Sequence, residues 1–300
     1  MITEKQNNIK NLQRLAAQRQ LYATAKKIFA FHIIISAPVV IAFSLVVMII
    51  PSANVYASLW GALVALADFV ILTPMVKQLR GNGAKVQEVF DCDVLDIPWN
   101  ELKAGEKPSH ELIKEQSDKY AKWAKTMPPL TDWYSPSVSE LPLKVGRIVC
   151  QRSNCWWDAK QRRYYAATII LSVSTVFVVV FLVALIGDFT LKNFLLNVLF
   201  PLLPLLILGA RQFRDNQDTA NRLDTLKSHA DRIWKKALDG SSESDLLNES
   251  RNLQDEIYDN RRNKPLIFDT IFRRLRPSLQ TQMNFGSDEL VSEAKAKLAQ

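Results

Sequence analysis

The sequence is poor in the residues from which metal centres and catalytic sites are commonly built. Its 300 residues include three cysteines, three histidines and nine glycines. A zinc site needs clustered cysteine and histidine ligands, and a phosphate-cradling loop needs closely spaced glycines. Neither pattern occurs, and no nucleophilic triad or pair of catalytic histidines is visible. We therefore expect that the protein is not an enzyme, and we predict no cofactor and no metal site.

The apolar residues are concentrated in two blocks, residues 28–76 and 166–209, and the remainder is polar and charged. Each block contains two apolar runs of about 20 residues, the length that crosses a bilayer as a helix. Short turns at residues 51–54 and 187–188 divide the blocks. A water-soluble helical bundle would need a polar stripe on each helix, and the third run has almost none. The pattern predicts four transmembrane helices arranged as two hairpins.

The distribution of basic residues predicts the orientation of these helices. Residues 1–27 carry six Lys or Arg, residues 77–165 carry fifteen and the tail from Arg211 carries sixteen; the one further basic residue is Lys192, just after the second turn. Basic residues accumulate on the cytoplasmic side of membrane proteins. Both termini and the central segment are therefore expected in the cytoplasm. This topology also accounts for the net charge of +8 without a nucleic-acid partner.

The predicted fold class is an all-α membrane protein with a mainly helical cytoplasmic domain. The predicted segments are an amphipathic N-terminal helix (1–27), transmembrane hairpin one (28–76), a cytoplasmic domain (77–165), transmembrane hairpin two (166–209) and a cytoplasmic helical tail (210–300). Within the central segment, Ser109 is a candidate cap for a helix over 109–127. In the tail, apolar residues spaced by three and four on both sides of Gly240 predict two packed amphipathic helices.

An acidic motif, Asp91, Asp93 and Asp96, lies in the predicted cytoplasmic domain. A D-x-D pair can hold Mg²⁺ for phosphoryl chemistry. The other interpretations are structural capping with solvated charge, and pairing with Arg147, Arg152 or Arg162 that holds the domain shut. The residues alone leave these alternatives open.

Basic and aromatic residues precede the third apolar run. Arg147, Arg152, Trp156 and Trp157 are candidate ligand-binding residues, because arginine binds phosphate and aromatic rings stack on nucleotide bases. The alternative is a belt of interfacial anchors next to a membrane span, which we favour for the neighbouring Arg162.

Two ionisable residues fall inside the predicted spans. Asp68 lies near the middle of the second span, and His32 of the first span is placed to reach it. An acid in a membrane is costly and usually faces the interior of a helix bundle or a water-filled path. The pair is either a gating element of a pore or a structural contact between spans.

Several polar motifs resemble those of the SMODS-associating four-transmembrane effector family. They are LQRLAAQRQLY at 12–22, FDCDVLDIPWN at 90–100, WYSP at 133–136, CQRSNCWWD at 150–158, and the segment 265–276. The resemblance implies a pore-forming effector of a bacterial antiviral system of the CBASS type. In such a system a synthase makes a cyclic oligonucleotide on infection, and the effector then damages the inner membrane.

The resemblance also implies the partners and the location. We expect the bacterial inner membrane, a cyclic-oligonucleotide messenger as ligand, and a homo-oligomer, because four helices from one chain enclose no wide channel. The rival interpretations are a membrane-anchored, metal-dependent enzyme that uses Asp91 and Asp93, and a membrane scaffold.

Overall fold

The protein is all-helical in the part of the chain that the structure describes. The computed structural model covers residues 2–36, 38–39, 42–43, 46, 50–187 and 190–298, and no strand occurs among them. The all-α prediction is confirmed for these residues. The predicted first span, 28–50, lies partly outside the described residues.

Long helices alternate with short helices and turns. In chain order the helices are α1 (Ile2–Asn7), α2 (Ile9–Ser36), α3 (Asn54–Ala67), α4 (Thr73–Leu95), α5 (Glu101–Ala104), α6 (His110–Ala121), α7 (Leu143–Ile186), α8 (Leu191–Phe194), α9 (Phe200–Leu238), α10 (Glu243–Asn263) and α11 (Asp269–Leu298). Turns of π-helix, Asp68–Leu72 and Leu195–Leu199, join α3 to α4 and α8 to α9 without a loop. Turns of 3-10 helix lie at Pro51–Ala53, Ala124–Thr126 and Pro136–Glu140.

Within the part of the chain that the structure describes, two helices are long and apolar enough to cross a membrane. They are the continuous helix Val55–Leu95 and α7, Leu143–Ile186. In the most apolar 18-residue window of each helix, only 6% of the residues are buried inside the chain. The core helix of a water-soluble protein would be mostly buried, whereas lipid can cover apolar side chains that the protein leaves bare. These two helices support a membrane location, and the four-span arrangement remains a prediction.

Close contacts join the predicted spans in pairs. The indole Nε1 of Trp60 donates a hydrogen bond to the carbonyl oxygen of Ile35, 3.1 Å away. A Cβ atom built on Gly209 would lie 2.5 Å from Cγ2 of Val173, so α9 and α7 approach each other where glycine leaves room. Small residues at such crossings let membrane helices pack closely. Both contacts join the two members of a predicted hairpin.

A hydrophobic core lies in the polar part of the molecule, where α2, α4 and α7 pack with the tail helices. Its buried residues include Leu15, Phe90, Ile148, Ile233 and Leu253. The periodic apolar residues of the tail are buried as well, namely Leu223, Leu226, Ala230, Ile233, Ala237, Leu246, Leu253 and Ile257. The tail helices therefore pack within the chain.

Local sequence signals explain several helix ends. The hydroxyl of Ser109 accepts a hydrogen bond from the amide of Leu112 at the start of α6, and Ser242 does the same for α10. Between α9 and α10, Gly240 has a φ of 86°, a left-handed conformation that favours glycine. The predicted cap at Ser109 and the predicted break at Gly240 are both confirmed. The α6 helix ends at Ala121, earlier than expected.

The boundaries predicted between apolar and polar segments all fall inside helices. The 27/28 boundary lies in α2, 76/77 in α4, 165/166 in α7 and 209/210 in α9. No loop separates an apolar run from the polar part of the molecule at any of these boundaries. The same rigid helices therefore build both parts.

Candidate functional site

A large cavity opens in the polar part of the molecule between α2, α4, α7, α10 and α11. It contains about 1310 Å³ of space not occupied by atoms, part of it open to solvent. Ligand sites in proteins are usually concave clefts of this kind.

The wall of this cavity is strongly cationic. Its basic residues are Arg19, Lys26, Arg80, Arg162, Arg261, Lys264 and Arg276. Its acidic residues are Asp158 and Asp269. A concave surface with such an excess of positive charge attracts anions.

Two of the cavity arginines are held by neutral carbonyl groups of one proline-rich turn. Nη1 of Arg19 donates a hydrogen bond to the carbonyl oxygen of Pro128 at 2.9 Å, and Nη2 of Arg276 donates to that of Pro129 at 2.9 Å. A carbonyl orients a guanidinium group without neutralising its charge. Among the described residues neither arginine forms an ion pair with a carboxylate, although the nearby Asp269 offsets part of the charge of Arg19.

Two further arginines contact the chain between α10 and α11. Nη1 of Arg80 donates to the carbonyl oxygen of Lys264 at 3.1 Å. Nη1 and Nη2 of Arg162 donate to the carbonyl oxygen of Pro265 at 3.2 Å. Of these two, Arg162 also has a carboxylate partner, Asp158, whose Oδ1 lies 3.1 Å from its Nε.

Several polar atoms on the cavity residues are buried without a hydrogen-bond partner among the described residues. They include Nη2 of Arg19, the hydroxyl of Tyr22, Nε of Arg80 and Nδ2 of Asn260. A buried polar group that lacks a partner costs about 1–3 kcal/mol. A polar ligand in the cavity would supply acceptors to these donors.

Burial, reinforced by neighbouring positive charge, lowers the pKa of two cavity residues. Burial, and then repulsion from Arg19, lowers the pKa of Arg276 to about 10. Burial also lowers the pKa of Lys264 to about 8, although the nearby Asp158 carboxylate acts in the opposite direction. Both groups remain protonated at pH 7, and an anion nearby would favour their charged forms.

Aromatic side chains complete the wall of the cavity. They are Tyr22, Trp123, Trp133, Trp157 and Phe272. The guanidinium carbon of Arg19 lies 5.3 Å from the ring centroid of Phe272 and 6.0 Å from that of Trp133, in cation–π contact. Guanidinium groups that bind phosphate, next to rings that stack on bases, are the composition of a nucleotide site.

The acidic motif lies behind this cavity and is engaged by basic residues. Asp91 is fully buried; its carboxylate pairs with Arg261 and accepts a hydrogen bond from the hydroxyl of Tyr134 at 2.6 Å. Asp93 pairs with Arg14 at 2.5 Å.

Asp96 lies 3.5 Å from Lys5, in an exposed pair. The ion-pair partners of the motif are thus Arg261, Arg14 and Lys5. Of the predicted partners Arg147, Arg152 and Arg162, it is Arg147 that lies close enough to Asp96 for that carboxylate to counteract the lowering of its pKa by burial. Within the described residues, no group of three His, Cys, Asp or Glu side chains is arranged to hold a metal ion.

The four residues proposed from the sequence as a ligand site do not all line this cavity. Trp157 lines the cavity, whereas Arg147, Arg152 and Trp156 do not. Nε of Arg152 pairs with Asp231 at 2.5 Å. Arg147 is 3% exposed, and its Nε and Nη1 lack hydrogen-bond partners.

Arg162, which the sequence analysis treated as a membrane anchor, is 1% exposed and lines the cavity. Arg19, Arg80 and Arg276 were not predicted as site residues, because they are far apart along the chain. The one local signal was the density of aromatic and basic residues around Trp157.

The structure brings His32 and Asp68 together between the first and second apolar runs. Nδ1 of His32 lies 3.4 Å from Oδ1 of Asp68, and the hydroxyl of Thr73 donates to the same oxygen at 2.9 Å. Asp68 begins the π-helical turn Asp68–Leu72. Such turns occur frequently at functional sites in helices.

The fold and the cavity together define the class of the protein: an all-helical chain with membrane-capable helices that also form the wall of a cationic cavity. The family model of the SMODS-associating 4TM effector domain matches residues 1–290, and the chain belongs to this family. The resemblance of the polar motifs is thereby confirmed.

A relative from Bacillus cereus strain VD146, described as a probable CBASS effector molecule, is 27% identical over 233 residues. The match covers 74% of this chain and 76% of the relative. No solved structure matches the chain.

Proposed function

We propose that this protein is a membrane-permeabilising effector of bacterial antiviral defence, and that a cyclic-oligonucleotide messenger activates it by binding in the cationic cavity. Membership of the 4TM effector family supports the role in defence. The observation that carries the gating mechanism is that the cavity wall is built from the helices that enter the apolar blocks. Occupancy of the cavity therefore acts directly on those helices.

The chemistry of the cavity supports an oligonucleotide ligand. Phosphates would bind the guanidinium groups of Arg19, Arg80 and Arg276, which have no carboxylate partner in hydrogen-bonding distance. Bases would stack on the rings of Trp123 and Trp157. Stacking contributes about 1–3 kcal/mol per base, so several bases bind more tightly than one.

The proposed arrangement places the cavity on the cytoplasmic side of the bacterial inner membrane, with both termini on that side. The excess of Lys and Arg in the segments next to the apolar runs supports this orientation. Lesions would form from a homo-oligomer, because one chain supplies only four spans. The His32–Asp68 pair would then lie at a polar point within the membrane, where it contributes to the gate.

Ligand binding is tested with the full chain in lipid nanodiscs and a panel of synthetic cyclic di- and trinucleotides. We expect one of them to bind, and Arg276→Gln to weaken its binding about 10- to 100-fold, the equivalent of one lost charged hydrogen bond. The matched control is Arg222→Gln, whose guanidinium lies outside the cavity in an exposed pair with Glu256. The control should bind as the wild type does.

Membrane damage is tested with the same proteins in dye-loaded vesicles of bacterial lipids. The messenger identified by binding should release dye from vesicles that contain wild type or Arg222→Gln, and less dye from those with Arg276→Gln. The proposal is contradicted if no cyclic oligonucleotide binds, or if a bound one leaves the dye inside.

A further inference from the structure

The chain between α10 and α11 forms a short connection that touches three long helices. This connection, residues 264–269, begins after the end of α10 at Asn263 and includes the first residue of α11, Asp269. Its Leu266 and Ile267 are buried. We refer to residues 264–269 as the connector.

The connector contacts α2 just before that helix enters the first apolar run. Nζ of Lys26 pairs with Oδ1 of Asp269 at 2.5 Å. The ring of Phe268 stacks on that of Phe29, with 6.0 Å between centroids. An ion pair and an aromatic pair therefore attach α2 to the connector, one helical turn apart.

The connector contacts α7 in the same way, just before the third apolar run. Phe268 packs edge-on against Tyr165, with centroids 6.5 Å apart. Nζ of Lys264 pairs with Oδ2 of Asp158 at 2.6 Å, and the guanidinium of Arg162 donates to the carbonyl of Pro265.

The connector also contacts α4, through the hydrogen bond from Arg80 to the carbonyl of Lys264. One short segment thus ties together α2, α4 and α7 where they leave the polar domain. These contacts hold the three helices at fixed distances from each other.

The guanidinium groups of Arg80 and Arg162 face both the connector and the cavity. Their present acceptors on the connector are neutral carbonyls. Arg162 is held in addition by Asp158 and Asn216, whereas Nε of Arg80 has no acceptor among the described residues. A phosphate offers charged, bidentate hydrogen bonds, which are about twice as strong as neutral ones. A phosphate in the cavity and the connector carbonyls therefore compete for the same donors.

We propose that Arg80 and Arg162 form a phosphate subsite that the connector occupies in the resting state, so that the connector is a latch released by an anionic ligand. Release frees the inner ends of α2, α4 and α7 and allows the apolar runs to rearrange. The identity of the ligand rests on the proposed function, whereas the latch itself does not, because weakening it should open the protein without any ligand.

The first test weakens the latch and leaves the phosphate subsite intact. Phe268→Ala and Asp269→Asn are produced in cells that lack any cyclic-oligonucleotide synthase, and membrane potential is followed with a dye. We expect both variants to depolarise the cells, with a leak about 5- to 150-fold above wild type, the usual range of a conformational coupling. The matched control is Asp288→Asn, an exposed acid on the same helix, which should behave as wild type. If both variants are folded and present in the membrane in the same amount as wild type, and yet cause no leak, the latch is contradicted.

The second test locks the latch closed. The double variant Phe29→Cys, Phe268→Cys is purified, oxidised to form a disulfide and placed in dye-loaded vesicles. The cross-linked protein should retain its dye even when the messenger is present. Cleavage of the bond by a reductant should release dye, because both rings of the aromatic pair are absent, while oxidised wild type responds to the messenger at once.

The outcomes separate the latch from the proposed function. If the cross-linked protein responds to the messenger as fully as the reduced one, the latch is wrong and the proposed function stands. If Phe268→Ala leaks while wild type responds to no cyclic oligonucleotide, the latch stands and the proposed ligand is wrong.

Discussion

At the scale of single residues, Asp91 is a buried charge that several partners hold in place in the polar domain. It is fully buried, pairs with Arg261, and accepts hydrogen bonds from Tyr134 and Gln254. Its partners come from separate parts of the chain, so the carboxylate joins α4 to α10 and to the segment before α7. Because Arg261 also lines the cavity, this network holds one side chain of the cavity wall in position.

Removal of the Asp91 carboxylate should destabilise the protein strongly. Asp91→Ala leaves Arg261 buried without its partner, and breaking a buried pair in this way costs about 3–5 kcal/mol. The measurement is thermal unfolding in detergent. The matched variant is Asp93→Ala, from a half-exposed carboxylate, which should cost no more than about 1 kcal/mol. Equal losses in the two variants would contradict the role assigned to Asp91.

The contacts of individual charged residues could be predicted only in part from the sequence. The spacing of Asp91 and Asp93 allowed metal binding, capping or pairing with arginine, and their partners, Arg261 and Arg14, are distant along the chain. By contrast, the His32–Asp68 contact was predictable, since the position of each residue along an apolar run indicates its depth.

At the scale of elements, two glycines differ in the space around them: one lies at a close contact between helices and the other does not. A Cβ on Gly209 would meet Val173 at 2.5 Å, whereas a Cβ on Gly61 would have no neighbour within 4 Å. Both glycines lie within apolar helices. The crossing of α7 and α9 therefore depends on Gly209.

Replacing these two glycines by alanine should have opposite effects. Gly61→Ala should leave stability unchanged or raise it by up to about 1 kcal/mol, since alanine favours the helix. Gly209→Ala should lower stability by about 1–3 kcal/mol, because the added methyl forces α7 and α9 apart. Thermal unfolding of both variants in one detergent provides the measurement. A stabilised Gly209→Ala would show that the helices do not cross there.

The elements themselves could largely be predicted, because their signals are local. Ser109, Ser242 and Gly240 mark helix ends through the hydrogen bonds and backbone conformation that each residue type favours. The turns of π-helix at Asp68–Leu72 and Leu195–Leu199 were not predicted. The insertion of one residue into a helix leaves no clear mark in a pattern of apolar residues.

At the scale of the whole molecule, the sequence contained one local signal of the cavity, the aromatic and basic residues around Trp157, and no sign of its other walls. Arg19, Arg80, Arg162 and Arg276 reach one space only after α2, α4, α7 and α11 have packed. Hydropathy located the apolar runs, because lipid imposes that pattern on each run separately. A site assembled from separate helices requires the tertiary structure.

The proposed orientation of the molecule predicts which positions a membrane-impermeant maleimide can reach. In intact spheroplasts, Ser52→Cys should be labelled, because Ser52 is exposed in the turn expected outside. Ser244→Cys should be labelled only after the membrane is opened, because this exposed residue belongs to the tail. Wild type supplies the background from Cys92, Cys150 and Cys155. Labelling of Ser244→Cys in intact spheroplasts would contradict the predicted topology.

The unbroken passage of α2, α4, α7 and α9 from apolar to polar surroundings limits how such a protein can be rebuilt. In receptors whose ligand-binding domain is joined by a flexible linker, that domain can be replaced as a unit. Here a graft would have to cut four helices and rejoin each in register. A change of ligand preference must therefore come from substitutions inside the existing cavity, one side chain at a time.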